Sequence, residues 1–207
     1  MDTKSKEGLR HYFIAREHSK DDYFEFNMNF LSRNYTFKSC SDVFSKNQVD
    51  EGSLVLINTI LKKEVFKDGS VLDMCCGYGP IGILLATNLE IELTMCDINS
   101  TSVALAKENA KINQCQTKDI FESNMFECVK ENYDHIVSNP PIKTGKKVLM
   151  DFVNGAYEHL NVGGDLTLVI KKNLGADSLK KKLTELFGNA EVLQRDRGYY
   201  ILHSVKK

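Results

Sequence analysis

Val71-Leu72-Asp73-Met74-Cys75-Cys76-Gly77-Tyr78-Gly79-Pro80-Ile81-Gly82 decides the fold of this 207-residue chain. Its apolar start reads as a buried strand, its glycines as a tight turn, and Pro80 as the first residue of a helix, where a missing N–H costs nothing. Glycine is needed where backbone swings sharply and comes close to a ligand, because a Cβ would collide there. The stretch satisfies G-x-G-x-x-G literally, and Asp97 stands twenty residues after Gly77, where a ribose-binding acid belongs. On these residues a nicotinamide-dependent oxidoreductase fits.

Outward from this turn, short β-rich runs alternate with helical patterns. The runs are Val71 to Cys75, Ile91 to Cys96, Tyr133 to Val137 and Asp165 to Ile170, with helices expected near 80–88, 99–112, 146–160 and 176–187. Alternation of this kind implies a parallel sheet with helices on both faces. The tail breaks the pattern, since Ala190 to Gln194 and Tyr199 to Val205 are strand-like and joined by a short turn, Arg195 to Gly198. That hairpin adds an antiparallel element at the sheet edge. The expectation is an α/β fold, a doubly wound Rossmann-like sheet of seven strands, mostly parallel, with a C-terminal antiparallel hairpin.

Upstream, Tyr23 to Phe30 alternates strictly, with Phe24, Phe26, Met28 and Phe30 on one face, and a polar turn at Ser32-Arg33-Asn34 leads to Tyr35-Thr36-Phe37. This reads as a β-hairpin. From Glu51 the period becomes helical, with Leu54, Ile57, Leu61 and Val65 on one face. Residues 1–50 are therefore expected to form an extension with a β-hairpin, and 51–207 the main domain.

A hydrophobic content of 42% and a charged content of 27% exclude disorder and fibrous architectures. No apolar stretch is long enough for a membrane span, and MDTKSKEGLR lacks a signal-peptide core, so a cytoplasmic protein without membrane association is expected. The six cysteines, at 40, 75, 76, 96, 115 and 128, show no CxxC spacing and read as buried thiols, not as a metal site or disulfide framework. The net charge of −1 hides an asymmetry: residues 1–63, 64–137 and 138–207 carry 10, 5 and 12 basic groups against 9, 12 and 7 acidic ones, giving +1, −7 and +5. The last third is the anion-facing candidate, although each lysine cluster taken alone reads as a solvated face.

Asp134-His135-Ile136-Val137-Ser138-Asn139-Pro140-Pro141-Ile142 is a strand ending in a stiff turn. The two prolines fix φ and remove two N–H donors, so carbonyls and the Asn139 side chain are presented as acceptors. A planar exocyclic amine offers two N–H donors and a poorly available lone pair. If the Asn139 side-chain oxygen and the Pro140 carbonyl each accept one N–H, the nitrogen is held with its lone pair free to turn toward an electrophilic methyl. Catalysis of this sort is positioning and electrostatics, and needs no strong base.

Asp73 with the following turn gives D-x-C-C-G-x-G, which resembles the D-x-G-C-G-x-G first motif of class I S-adenosylmethionine-dependent methyltransferases, with Cys75 in place of the usual glycine. Together with His11-Tyr12-Phe13, the Val43 to Ser53 segment and Asn139-Pro140-Pro141-Ile142, it resembles the ribosomal RNA small subunit methyltransferase C family from about residue 9 to 205. That likeness implies S-adenosylmethionine as cofactor and guanine N2 of small-subunit (16S) ribosomal RNA as acceptor. It implies cofactor contacts from Asp73, Cys75, Gly77, Gly79, Asp97, Ile98, Asn124, Met125 and Asn139, with Asn124 receiving the adenine amino group. The segment over the cofactor adds Phe44 and Asp50. Asn139 and Pro140 become catalytic, and Pro141, Ile142 and Lys46 contact substrate.

Blander roles compete for several of these: core for Phe44, surface for Lys46, helix cap for Asp50 or Asp97. For Asp97 the cap role is better filled by Asn99 or Ser100. The best-known bacterial relatives carry two tandem domains, so the resemblance implies that one such domain takes help with RNA from its N-terminal part, a partner subunit or the assembled ribosomal particle. A monomer or homodimer is expected. A protein-glutamine or DNA amino-methyltransferase shares the same tetrapeptide logic, and a catalytically inactive cofactor- or RNA-binding module is the alternative from another class.

Overall fold

The computed structural model describes residues 22–41, 43, 45, 47–142 and 146–207. Strands β1 (Tyr23–Phe30) and β2 (Arg33–Cys40) pair antiparallel, Phe30 opposite Arg33. The two residues between them, Leu31 and Ser32, both have left-handed φ, 47° and 63°. This is the geometry that matches the twist of paired strands, and it is usually built from Asn and Gly. The turn is therefore shifted from the expected Ser32-Arg33-Asn34, because Leu31 carries no turn signal. The alternation itself holds: Phe24, Phe26 and Met28 are half-buried and Phe30 is buried.

Helix α1 (Glu51–Lys63) follows, capped by Asp50, whose carboxylate accepts from Ser53 N. Then come β3 (Asp68–Met74), α2 (Pro80–Ala86), β4 (Glu90–Asp97), α3 (Ser100–Ile112), β5 (Asp119–Glu122), β6 (Tyr133–Ser138), α4 (Lys146–Glu158), β7 (Leu160–Lys171), α5 (Ala176–Phe187), β8 (Glu191–Asp196) and β9 (Tyr199–Val205). The larger sheet has seven strands in the order β5-β4-β3-β6-β7-β9-β8. β3 to β7 are parallel, and β9 runs antiparallel to both β7 and β8. The doubly wound, mostly parallel sheet with an antiparallel tail is as the alternation of runs implied.

Two boundaries differ. β7 begins at Leu160 instead of Asp165, because Leu160 pairs with Tyr133 across a register shift in the ladder. β8 continues to Asp196, which faces Tyr199, so the last turn is only Arg197-Gly198, both at positive φ.

Both faces of the sheet are covered. Val71, Leu93, Met95, Val137, Val169 and Ile201 point to the side of α1, α2, α3 and the hairpin. Leu72, Met74, Ile136, Leu166, Leu168 and Leu202 point to the side of α4 and α5, against Phe152, Leu179 and Leu183. Adjacent residues feeding opposite cores is the period-2 signature of a strand buried on both faces, and each such side chain contributes roughly 1.5–3 kcal/mol.

The hairpin joins the larger sheet's core through two asparagines one turn apart on α3. The Asn109 carboxamide accepts from Lys38 N at 2.7 Å and donates to Lys38 O at 2.8 Å, and Asn113 does the same for Thr36 at 3.0 and 2.8 Å. Each side-chain amide thus replaces one residue of a neighbouring strand along β2. That use explains two buried asparagines in a helix they would otherwise weaken.

Strand order fixes where a ligand can sit. From β3 the chain moves out through β4 to β5, then returns across β3 to lay down β6 on its other side. The carboxyl ends of β3 and β6 flank this reversal, the place where open α/β sheets form a crevice.

Candidate active site

The glycine turn leaves the carboxyl end of β3. Gly77 and Gly79 hold φ of 57° and 89°, and a Cβ built on Gly77 would meet nothing within 4 Å, so its backbone faces open space. Gly79 is the N-cap of α2 and offers no side chain to cap it. Asp73 takes that part: its Oδ2 accepts from Gly82 N, the third residue of α2, at 2.8 Å. An anion there also meets the positive end of the helix. Its Oδ1 is buried without a partner among the described residues. Burial, offset by the Gly82 hydrogen bond, and repulsion from Asp97 push the Asp73 carboxyl up to about 7.

Asp97, at the end of β4, braces the turn. Its Oδ2 accepts from Gly77 N at 2.8 Å and its Oδ1 from Asn99 N at 2.9 Å, while burial raises its pKa. The cap of α3 is Asn99, whose side chain accepts from Thr101 N and Ser102 N. Tyr78 O in the turn accepts from Asn109 Nδ2 at 2.9 Å, so the amide that grips the hairpin also grips the glycine loop. Cys75 adopts φ of 61°, left-handed backbone in a residue that carries a Cβ. Burial and the nearby Asp97 push its thiol well up, which keeps it un-ionised.

β6 runs beside β3 with Ser138 opposite Met74, and Ser138 Oγ donates to Met74 O at 2.6 Å. Asn139 therefore follows directly beside Cys75, about one strand spacing of 4.8 Å away. Its Nδ2 donates to Asp50 Oδ2 and to Ser53 Oγ, both at 3.0 Å. The carboxylate can only accept, which fixes the orientation of the carboxamide: both N–H groups face α1, and Oδ1 is the end left to accept from a ligand. Asp50 carries a second duty as the cap of α1 through Ser53 N at 3.1 Å. At the next residue, Pro140 O accepts from Ile142 N at 2.8 Å, a three-residue turn that leaves this carbonyl one further lone pair.

Around this centre, Ile98, Pro141 and Ile142 are half-buried. Asn124 is exposed and donates to Glu127 Oε1 at 2.8 Å, and Met125 beside it has φ of 50°. The structure thus gathers Asp73, Cys75, Gly77, Gly79, Asp97, Asp50 and Asn139 at the carboxyl ends of β3, β4 and β6. Phe44 and Lys46, with the upstream His11-Tyr12-Phe13, lie outside the described residues. Sequence reasoning missed Ser53 and Asn109. The Asp50-x-x-Ser53 spacing signals a capped helix, but nothing local shows that the same pair grips Asn139 from 86 and 89 positions away.

The chain matches the methyltransferase small domain family over residues 34–203. It is 38% identical to the uncharacterized protein YbxB of Bacillus subtilis strain 168, over 95% of this chain and 98% of that one. It is 33% identical to ribosomal RNA small subunit methyltransferase C of Erwinia tasmaniensis over 83% of this chain, but spans only 49% of that relative. Among solved structures, the 16S rRNA N2-guanine methyltransferase of T. thermophilus, in complex with AdoMet and guanosine, superposes with a TM-score of 0.80 at 28% identity, over 89% of this chain and 51% of the other. A methyltransferase from Pyrococcus furiosus shares the fold at TM-score 0.66 and 21% identity, covering 79% of this chain and 86% of its own.

Proposed function

This chain belongs to the methyltransferase small domain family, and on that footing we propose that it is a cytoplasmic S-adenosylmethionine-dependent enzyme that methylates guanine N2 in small-subunit ribosomal RNA. The observation that carries the reading is the locked Asn139 carboxamide, with both N–H groups held by Asp50 and Ser53.

The site suits the cofactor on this structure's own terms. S-adenosylmethionine brings a methionine ammonium and carboxylate, two ribose hydroxyls and an electrophilic methyl. The buried, unpaired Asp73 Oδ1 is an acceptor suited to a cation near the turn, and the open side of Gly77 leaves room for close approach. Asp97, already fixed by two backbone donors, keeps lone pairs for the ribose hydroxyls. Ile98, Met125 and Asn124 then border the adenine.

On the substrate side, Asn139 Oδ1 and the second lone pair of Pro140 O each accept one N–H of the guanine amine. Asp50 and Ser53 hold the amide so that acceptance costs no reorganisation when the methyl is transferred. Pro141 and Ile142 pack against the base. The nitrogen becomes acidic as it is alkylated and loses its proton afterwards, so no basic side chain is required.

Mass-spectrometric mapping of modified nucleosides in ribosomal RNA from cells with and without the protein tests this reading. The expected result is loss of one N2-methylguanosine from the small-subunit RNA and its restoration by purified protein with labelled cofactor. Label confined to protein glutamine or to DNA would replace guanine as the acceptor, and no transfer together with intact cofactor binding would mark an inactive module.

A further inference from the structure

Beside the pocket, the carboxyl edge of the sheet carries a cationic shelf. Leu168 pairs with Ser138, the last residue of β6, so β7 runs on to Lys171 three residues further, about 10 Å at strand spacing. β8 and β9 turn at the same height. Lys171 pairs with Tyr199 and Tyr199 with Asp196, while Lys172 N donates to Gly198 O at 2.9 Å. Lys171, Lys172, Arg195 and Arg197 are all exposed on this projection.

Acids do little to neutralise it. Arg197 pairs with Glu51 at 3.0 Å, but both side chains are more than half exposed, and such pairs are weak. Asp196 is the other nearby carboxylate acting on Arg197. Among the described residues, Lys171, Lys172 and Arg195 have no carboxylate partner. Lys171 Nζ instead sits 5.1 Å from the centroid of Tyr199, and the Arg195 guanidinium 5.1 Å from that of Tyr200.

The shelf is also packed onto the element that holds Asn139. A Cβ on Gly52 would fall 2.6 Å from Tyr199 Cε1, so the ring lies directly on the first turn of α1, whose Asp50 and Ser53 grip the amide. An extended polyanion delivering a base to Asn139 would cross this projection.

We propose that Lys171, Lys172, Arg195 and Arg197 dock the phosphodiester backbone of the RNA segment that carries the target guanine, an inference that rests on the RNA reading above. Contacts of this kind position the polymer, while Asn139 and Pro140 select the base. The shelf presents cations and tyrosine rings on a protruding edge with no apolar groove, which suits a nucleic-acid backbone better than a folded protein surface.

The test measures methyl transfer to small ribosomal subunits or their RNA at varied RNA and salt for the wild type, for Lys171→Ala/Lys172→Ala, and for a control, Lys62→Ala/Lys63→Ala, at the far end of α1. The shelf variant should raise KM for RNA roughly tenfold and flatten the salt dependence by about 1.4 in log–log slope, at about 0.7 per lost phosphate contact. Its kcat and cofactor affinity should stay within about twofold of wild type, and the control should match wild type. If wild type methylates RNA but the shelf variant keeps its KM and slope, or the control loses as much, the docking surface is refuted while the RNA reading stands. If wild type transfers methyl only to a protein acceptor, or to nothing, the RNA reading fails and the shelf's role fails with it.

Discussion

The Asn139 carboxamide nitrogen lies 3.0 Å from an Asp50 carboxylate oxygen, joining the end of β6 to the cap of α1. One oxygen therefore serves two ends, since Asp50 Oδ2 also accepts from Ser53 N at 3.1 Å. Helix stability and orientation of the amide are coupled through that atom.

Asp50→Ala should accordingly lose about 1 kcal/mol of stability, the value of an N-cap, and about tenfold in kcat from the missing charge-assisted hydrogen bond. Asp50→Asn restores the cap and most of the stability but only part of kcat, because a neutral oxygen holds the amide less firmly. Denaturant titration and steady-state kinetics with saturating cofactor check both. An unchanged kcat in folded Asp50→Ala would remove the positioning role.

Asp97→Ala should weaken S-adenosylmethionine binding by roughly tenfold to a hundredfold, since hydrogen bonds to a charged group contribute about 1.5–3 kcal/mol. The fold should persist, because Asn99 rather than Asp97 caps α3. Calorimetry reads the affinity directly, and a wild-type dissociation constant would reject Asp97 as a ribose ligand.

Asp73 gives the stability a pH dependence of defined sign. Its carboxyl titrates at about 7 in the fold against 3.8 when unfolded, so between these values the folded chain holds a proton that the unfolded chain has lost. Stability of the protein alone should fall as pH rises from about 4 to 7, by an amount on the order of a few kcal/mol, and level off above. Asp97, also raised by burial, adds a slope of the same sign. Asp73→Asn should remove most of the fall, as read from unfolding midpoints at successive pH values. A stability that rises through this window would contradict the assignment.

What the chain disclosed about itself follows from how local each signal is. The glycine turn, the alternating runs and the helix-free tail depend on neighbours in sequence, so the sheet, its helices and the final hairpin were legible. The strand order β5-β4-β3-β6 was not, because it is set by which strand the chain returns to after β5. Leu31-Ser32 and Cys75 adopt left-handed backbone without the usual Asn or Gly, so the hairpin turn was misplaced and the Cys75 conformation gave no sign. At the site, Asp73, Asp97 and Asn139 were found from their positions at strand ends. The bracing was hidden: Asn109 and Asn113 look like ordinary polar helix residues until β2 is laid against them.

The most direct measurement is single-turnover methyl transfer by Asn139→Ala on small ribosomal subunits, with cofactor affinity determined on the same preparation. Loss of a preorganised acceptor aimed at the reacting nitrogen predicts a rate lower by on the order of a hundredfold or more, with the dissociation constant for S-adenosylmethionine changed by only a few fold. A rate equal to wild type, in a variant that still folds and binds the cofactor, would contradict the account.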